Sequence, residues 1–194
     1  MNKYEERTRR KKEDIIKATL TLFGKQGFSD VSIKEIASLA KVSQVSIYNY
    51  FGSKESLVQE CTRVIMKDTI RIAEEILVSE EVFSKKLDTA LLLCNTEINA
   101  SINKFLSKKA SSDSQLLTLM AKNLNNLKKE IYMKYIAYGK EEKAIDNNIS
   151  DEAIQLFIDA INNLGLTISG EELMSKQTEI IHLFLYGLLG KPNQ

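Results

Sequence analysis

The side chains most suited to chemistry lie between residues 44 and 54, and they favour contacts with nucleic acid. Gln44 offers a hydrogen-bond donor and an acceptor together, which matches the edge that adenine presents in the DNA major groove. Val45 can pack on a thymine methyl group, and Ser46 can bond with a base edge or a phosphate. Donors suited to phosphate oxygens follow at Tyr48, Asn49, Tyr50 and Lys54.

Two short helices joined by a tight turn are needed to position these side chains. The first begins at Ser32, which stands three residues before Glu35 in the spacing of a capping box. The second covers residues 44–51, with Ser43 as its N-cap. At about 100° per residue, Ile47, Tyr50 and Phe51 share one side of this helix. Val45 and Asn49 point away from that side, and Gln44 lies at the N-terminal end. The pattern predicts a helix-turn-helix, whose second helix enters the major groove N-terminus first.

An ordinary packing unit of small helices has the same pattern, so these residues alone leave both interpretations open. The start of the third helix adds one argument, because its free N–H groups favour an anion next to Lys54. The candidate DNA-binding residues are Ser32, Lys34, Ser43, Gln44, Val45, Ser46, Tyr48, Asn49, Tyr50 and Lys54.

Three motifs carry a family resemblance: IIKATLTLFGKQGF at 15–28, SIKEIASLA at 32–40 and VSQVSIYNYFGSKESL at 42–57. Together they resemble the DNA-binding end of the tetracycline-repressor (TetR) family of bacterial transcription regulators. The sequence departs from the family at Lys41, where Gly is usual, and at Tyr50, where His is frequent. A left-handed helix end at Lys41 would cost about 1 kcal/mol or more on a residue other than Gly.

The charge distribution suits a chain that places one end on a polyanion. Residues 1–54 contain 11 lysines and arginines against 6 acidic residues, whereas residues 55–194 contain 16 against 20. Residues 1–12 are strongly basic and start the first helix; they suit DNA phosphates or the minor groove, or form a solvated tail. Gly27 is expected to end that helix in a left-handed conformation.

The composition argues against an enzyme, a metalloprotein or a membrane protein. The chain has one His, two cysteines far apart in sequence and no spacing typical of metal ligands. It offers no poised acid, base or nucleophile and no glycine-rich phosphate loop. No apolar run approaches the roughly 18 residues that a membrane span needs, and the polar, basic N-terminus has no apolar core of the signal-peptide type. We therefore expect a cytoplasmic protein with no catalytic residues, no metal and no cofactor.

Helical periodicity continues to the end of the chain and predicts an all-α fold. We expect a helix-turn-helix DNA-binding domain at 1–54 and a helical ligand-binding and dimerisation domain at 55–194. Residues 54–78 contain no helix breaker and predict one continuous helix that couples the two domains. The clearest loop is 107–114, SKKASSDS.

The last two expected helices are 151–164 and 171–190. The second carries more apolar residues near its end than one buried stripe requires. The excess predicts a symmetric partner, and the family resemblance implies a four-helix dimer interface. A core helix buried within a monomer is the alternative. The candidate interface residues are Ile154, Phe157, Ile158, Ile161, Ile181, Leu185 and Leu188.

A pocket for a small organic molecule is implied by the resemblance rather than by residue spacing. Aromatic and methionine side chains between 85 and 140 fit such a pocket, but they also fit an ordinary core. The candidate ligand-binding residues are Phe105, Met120, Tyr132 and Tyr135.

These features predict a homodimeric, ligand-responsive transcriptional regulator, expected to be a repressor that a small molecule releases from a palindromic double-stranded operator. The alternative is an all-α enzyme or adaptor that shares only a helical N-terminus. The effector, the operator sequence, the regulated genes and the choice between repression and activation lie beyond the sequence.

Overall fold

The computed structural model describes the backbone of residues 2–164, 175–176, 179–180, 182–183, 187 and 189, with side chains for all of these except 94–99 and 161–164. All regular structure in this part of the chain is helical, which confirms the expected all-α fold. None of its helices is long and apolar enough to cross a membrane. Most of the expected helix 171–190 lies outside the described residues.

The α-helices are α1 Lys3–Gln26, α2 Ile33–Leu39, α3 Gln44–Phe51, α4 Lys54–Ile65, α5 Lys67–Leu77, α6 Phe83–Phe105, α7 Ser114–Glu141 and α8 Asp151–Leu164. One turn of 3₁₀-helix, Ala110–Ser112, lies between α6 and α7.

The chain divides into two compact units that do not follow its linear order. One unit consists of Met1–Lys67 and Asn99–Leu124, and the other of Asp68–Ile98 and Asn125–Gln194. The first unit therefore contains α1 to α4 together with the end of α6 and the start of α7. The functional boundary expected between residues 54 and 55 stays a prediction.

A single hydrophobic cluster holds the first unit together. Burying an aliphatic or aromatic side chain stabilises a fold by about 1.5–3 kcal/mol, and this cluster collects such side chains from helices separated by a hundred residues. Its most completely buried large members are Ile15, Phe23, Ile36, Ile47, Leu57 and Leu116.

The expectation of one continuous helix over 54–78 was wrong, because the helix ends at Ile65 and a new one begins at Lys67. Met66, between them, is 2% exposed and donates its N–H to the Thr62 carbonyl oxygen. One turn earlier, the Thr62 hydroxyl donates to the Val58 carbonyl oxygen at 2.8 Å. A hydroxyl bonded to the preceding turn in this way commonly bends a helix.

The end of α1 depends on Gly27 for two reasons. Its φ is +90° and its ψ is −177°. The positive φ is as expected, but the conformation is an extended one that only Gly adopts readily, and the expected left-handed helical conformation was wrong. A Cβ at this position would lie 2.6 Å from Oδ2 of Asp113. The carboxylate and the turn after α1 are therefore packed against each other.

Residues 105–113, which we call the connecting segment, bind the C-terminal end of α1. The Ser107 N–H donates to the Gly24 carbonyl oxygen at 2.8 Å, and its hydroxyl donates to the Lys25 carbonyl oxygen at 2.8 Å. Phe105 lies directly against Gly24. The last carbonyls of a helix have no partner within the helix, so the connecting segment supplies partners that α1 lacks.

Asp113 joins the connecting segment to the turn before α2. Its Oδ2 accepts the Ser29 N–H at 2.7 Å, while its Oδ1 accepts the Leu116 N–H at 2.9 Å and so caps α7. Burial by itself would raise the pKa of Asp113, but the hydrogen bonds from Ser29 and Leu116 outweigh it and lower the pKa below its ordinary value.

The turn between α2 and α3 contains a strained lysine. Lys41 has φ +54°, which is a left-handed conformation. This is the conformation expected at a position where the family usually has Gly. The Val42 N–H donates to the Ala37 carbonyl oxygen and the Lys41 N–H to that of Ser38, which together form a Schellman motif. This motif sets the direction in which the chain enters α3.

The second unit has its own anchors. The Tyr135 hydroxyl donates to the Ala73 carbonyl oxygen at 2.6 Å. Lys86, although buried, donates to the Leu77 carbonyl oxygen at 3.0 Å and to the Tyr138 hydroxyl at 3.2 Å. These bonds fix α5, α6 and α7 to one another within that unit.

Replacing Lys41 by Gly should stabilise the protein. A left-handed conformation costs a non-Gly residue about 1–2 kcal/mol, and Lys41→Gly removes this cost. The greater conformational freedom of Gly in the unfolded chain offsets about 0.5–1 kcal/mol of the gain. We expect Lys41→Gly to raise the free energy of unfolding by about 0.5–1 kcal/mol in urea titrations. Lys34→Gly, the same exchange within α2, should lower it by about 1 kcal/mol. A loss of stability in Lys41→Gly would contradict the strained turn.

Replacing Asp113 by Ala should destabilise the first unit in a pH-dependent way. The change removes the cap of α7 and leaves the Ser29 N–H without its acceptor, so we expect a loss of about 1–3 kcal/mol at pH 7 by urea titration. The pKa of Asp113 is lower in the folded than in the unfolded chain. Its contribution is therefore fully present above about pH 4 and fades as the pH falls through the folded-state pKa.

The matched control is Asp30→Ala, which removes an exposed carboxylate paired with Lys109 at 2.7 Å in the same region. An exposed pair contributes about 0–1 kcal/mol. Equal losses in the two variants, or a loss in Asp113→Ala that persists unchanged at pH 3, would contradict the role given to Asp113.

Candidate nucleic-acid interface

Helix α2 is started by the capping box that the sequence predicts. The Ser32 hydroxyl accepts the Glu35 N–H at 3.2 Å, and Oε2 of Glu35 accepts the N–H and the hydroxyl proton of Ser32, each at 2.7 Å. The hydrogen bonds from Ser32 lower the pKa of Glu35. The Ser32 hydroxyl is therefore engaged in the fold, while the nearby Lys34 side chain is exposed.

Helix α3 presents the side chains expected to meet bases. Ile47 is its anchor, 1% exposed, and Tyr50 and Phe51 pack partly against the same cluster. On the other side Val45 is 65% exposed and Tyr48 is 50% exposed. Gln44 and Asn49 are exposed as well. Of the predicted contact residues on α3, the structure therefore exposes Gln44, Val45, Tyr48 and Asn49, whereas Tyr50 packs partly against the cluster.

The two serines at the start of α3 bond with each other. Oγ of Ser43 accepts the Ser46 N–H at 3.1 Å, and the two hydroxyl oxygens lie 2.9 Å apart. Ser43 therefore caps the helix as predicted. To contact a base edge or a phosphate, the Ser46 hydroxyl must give up its bond to Ser43 or form a second hydrogen bond beside it.

Lys54 has a structural environment that the sequence did not indicate. Its ammonium group donates to the Phe28 carbonyl oxygen and lies 4.0 Å from the centroid of the Phe28 ring. Burial lowers the pKa of Lys54, opposed by the negative charges of Glu55, Asp113 and Glu35. The lysine thus ties the start of α4 to the turn after α1.

One basic side chain of α1 lies beside the recognition helix. Nζ of Lys12 is 5.8 Å from the centroid of the Tyr50 ring, within the range of a cation–π contact. The sequence placed Lys12 only in a general basic stretch. Helical spacing within α1 could not have found this contact, because it joins residues 38 positions apart.

The four candidate ligand-binding residues fall in different units. Phe105 and Met120 belong to the hydrophobic cluster of the first unit. Tyr132 and Tyr135 belong to the second unit, where both are buried. Their role in binding a ligand stays a prediction.

The candidate interface residues of α8 lie on two of its faces. Ile154 and Ile158 are buried within the single chain, whereas Phe157 is 43% exposed and its neighbour Leu156 is 71% exposed. Ile161 has no described side chain, and Ile181, Leu185 and Leu188 lie outside the described residues. Leu183, which is described, is 69% exposed.

Other reactive groups in the described part of the chain give no sign of a catalytic or metal centre. Cys61 is buried, and burial raises the pKa of its thiol to about 12, which leaves it protonated and unreactive. Among the described residues no group of three or more His, Cys, Asp or Glu side chains is placed to hold a metal ion.

The interface coincides with the part of the chain that matches known proteins most specifically. Residues 15–61 match the family model of bacterial regulatory proteins of the tetR family. A stretch of 48 residues is 46% identical to the HTH-type transcriptional repressor NicS of Pseudomonas putida, which is 25% of this chain and 23% of that protein.

Two comparisons extend over nearly the whole chain. Over 188 residues the sequence is 23% identical to YdgC, an uncharacterized HTH-type transcriptional regulator of Bacillus subtilis, covering 92% of this chain and 93% of that protein. A crystal structure of a TetR-family transcriptional regulator from Syntrophomonas wolfei shares the fold with a TM-score of 0.53 at 24% identity, covering 95% of this chain and 98% of that one. With its capped α2 and α3 and the exposed face of α3, the matched segment 15–61 is that of a TetR-family regulator.

Proposed function

We propose that this protein is a homodimeric repressor that binds a palindromic operator through α3 and leaves it when a small organic molecule binds. The observation that carries the proposal is the open face of α3. A short helix held by a buried Ile47 presents Gln44, Val45 and Asn49 outward from a firmly capped N-terminus. A recognition helix contacts base edges with its N-terminal residues in this way.

Each exposed side chain has a contact suited to its chemistry. Gln44 can bond with adenine in a bidentate manner, and Val45 can pack on a thymine methyl group. Tyr48 and Asn49 can donate to phosphate oxygens, as can Lys34 from α2. Lys54 and Tyr50 remain proposed phosphate contacts, although the Lys54 ammonium must first give up its bond to the Phe28 carbonyl oxygen.

Binding of two half-sites requires two copies of α3. A dimer must hold them roughly 34–36 Å apart, one turn of DNA, to enter successive major grooves. We place the dimer interface on α8 and the 171–190 region, supported by the exposure of Leu156, Phe157 and Leu183. Large apolar side chains exposed together are typical of association surfaces.

Release by a ligand needs a route from the second unit to α3. Because the backbone helix is interrupted at Met66, we assign the route to the connecting segment rather than to a rigid 54–78 helix. α6 and α7 run from one unit into the other on either side of this segment. A ligand that shifts these helices would then pull on Ser107 and Asp113, which hold the end of α1 and the turn before α2. By linkage, operator DNA must weaken ligand binding by the same factor.

The test of DNA recognition is Gln44→Ala. If Gln44 bonds with adenine, the variant should lose about 1–3 kcal/mol on a duplex selected from a random library by the wild-type protein, measured by fluorescence anisotropy. Its affinity for a mixed-sequence duplex should stay unchanged. The control is Gln115→Ala, an exposed glutamine on α7. If a repeated selection with Gln44→Ala returns the wild-type sequence, α3 is not the recognition helix.

The test of assembly is Leu156→Glu. A charge in the middle of an apolar interface is costly to desolvate, so we expect a monomer by light scattering that keeps its helical circular dichroism. Its affinity for the selected duplex should fall steeply because one half-site supplies few contacts. Leu117→Glu introduces the same charge at an exposed leucine of α7 and should leave the dimer intact. A Leu156→Glu variant that remains as tightly dimeric as wild type would remove α8 from the interface.

A further inference from the structure

Helix α1 is much longer than the core that it serves. It spans 24 residues, about 36 Å at 1.5 Å per residue. Its buried side chains begin only at Ile15, and no residue from 2 to 14 is buried. The first three turns, about 18 Å of helix, therefore project beyond the hydrophobic cluster. They are well formed, because Asn2 and Glu5 make a complete capping box.

The projecting turns continue the face of α1 that packs on the core. Counting back from Ile15 and Thr19 at about 100° per residue brings positions 4, 8, 11 and 12 onto that face. We call these four residues, Tyr4, Thr8, Lys11 and Lys12, the inner row. Where this face lies over the core it is mostly apolar, whereas every member of the inner row beyond the core carries a hydroxyl or ammonium donor.

The opposite face of the same turns is neutralised by its own ion pairs. Arg9 pairs with Glu13 at 2.6 Å, and Arg10 pairs with Glu6. These pairs follow the i, i+4 spacing that stabilises an exposed helix. The paired arginines, Arg9 and Arg10, thus lie on the outer face, whereas Lys11 and Lys12 lie on the inner row.

The inner row lies on the same side of the protein as the recognition helix. Its last member, Lys12, places its ammonium group 5.8 Å from the Tyr50 ring of α3. From Lys12 the row runs outward through Thr8 to Tyr4, which is 78% exposed. The row thus leads from the side of α3 toward the exposed start of α1.

We propose that the inner row is a phosphate-binding surface, which engages the DNA backbone beside the base pairs contacted by α3. The inference rests on the proposed function and adds an element that the helix-turn-helix does not contain. Lysines and hydroxyl groups are the donors that proteins use for phosphate contacts, which fix position without selecting sequence. The row contributes affinity through counterion release and therefore acts on any duplex.

The experiment compares two variants that remove the same charge from opposite faces of α1. Lys11→Gln with Lys12→Gln empties the inner row of cations, and Arg9→Gln with Arg10→Gln removes two cations from the outer face. Binding of a 30-base-pair mixed-sequence duplex is followed by fluorescence anisotropy from low to moderate salt. This probe requires no knowledge of the operator, since electrostatic binding is independent of sequence.

The inner-row variant should lower the slope of log affinity against log salt by about two, at about 0.9 for each phosphate contact. Its affinity near 0.1 M salt should fall by about 10- to 60-fold. The outer-face variant should keep the slope within about half a unit of wild type. Lys11→Gln alone, which leaves the contact of Lys12 with Tyr50 in place, should lower the slope by about one. Lys11→Arg with Lys12→Arg should restore it.

Three results would overturn the inference: equal slopes in the inner-row and outer-face variants, an unchanged slope in the inner-row variant, or no recovery with arginine in a variant of normal circular dichroism. Each of these leaves wild-type DNA binding intact and concerns the inner row alone. If the wild-type protein binds no duplex at low salt, the proposed function fails as well.

Discussion

The open face of α3 depends on the burial of one side chain, Ile47. A helix of eight residues has no independent stability in water, because the cost of nucleating it is repaid only over about 12–15 residues. Ile47 is held among Ile15, Ile36 and Leu57 in the cluster of the first unit. Its burial fixes the rotation of α3 about its own axis. That rotation decides which residues point outward, and so the chemistry of the exposed face of α3 follows from an apolar contact.

The support for this contact comes from two separate parts of the sequence. The first unit is completed by residues 99–124, which contribute Leu116 and Met120 to the cluster. The connecting segment closes the unit through Ser107 and Asp113, whose partners belong to α1 and to the turn before α2. The helix-turn-helix therefore does not fold on a scaffold of its own. Its position is set in part by the end of α6 and the start of α7, helices that also contribute residues to the second unit.

Lysines hold several of the decisive positions in the first unit, each for a different reason. Lys41 carries the strain of the turn between α2 and α3, where a left-handed residue is required. Lys54 fixes the start of α4 on the Phe28 carbonyl oxygen, and Lys12 lies against the Tyr50 ring. A count of positive charge in residues 1–54 does not separate these roles. Strain, packing and availability to DNA are distinguished only by the surroundings of each ammonium group.

The sequence by itself determined those features that arise from interactions within a few residues. The capping box of Ser32 and Glu35, the cap at Ser43, the inward phase of Ile47 and the positive φ of Lys41 all follow from local spacing or from one comparison with a family pattern. Helix existence and the all-α class follow in the same way, because periodicity is a property of neighbouring residues.

Only the tertiary structure decided the features that join distant residues. Ser29 and Asp113 are 84 positions apart, and nothing in SKKASSDS distinguishes a loop in solvent from one that caps α1. No Gly or Pro in the sequence near Met66 indicates the break between α4 and α5. On α8, periodicity gives apolar residues on two faces. Burial within the chain assigns Ile154 and Ile158 to the core and leaves Leu156 exposed. In each case the role of the side chain depends on which residues, distant in sequence, pack against it in the folded chain. Local sequence spacing does not contain that information.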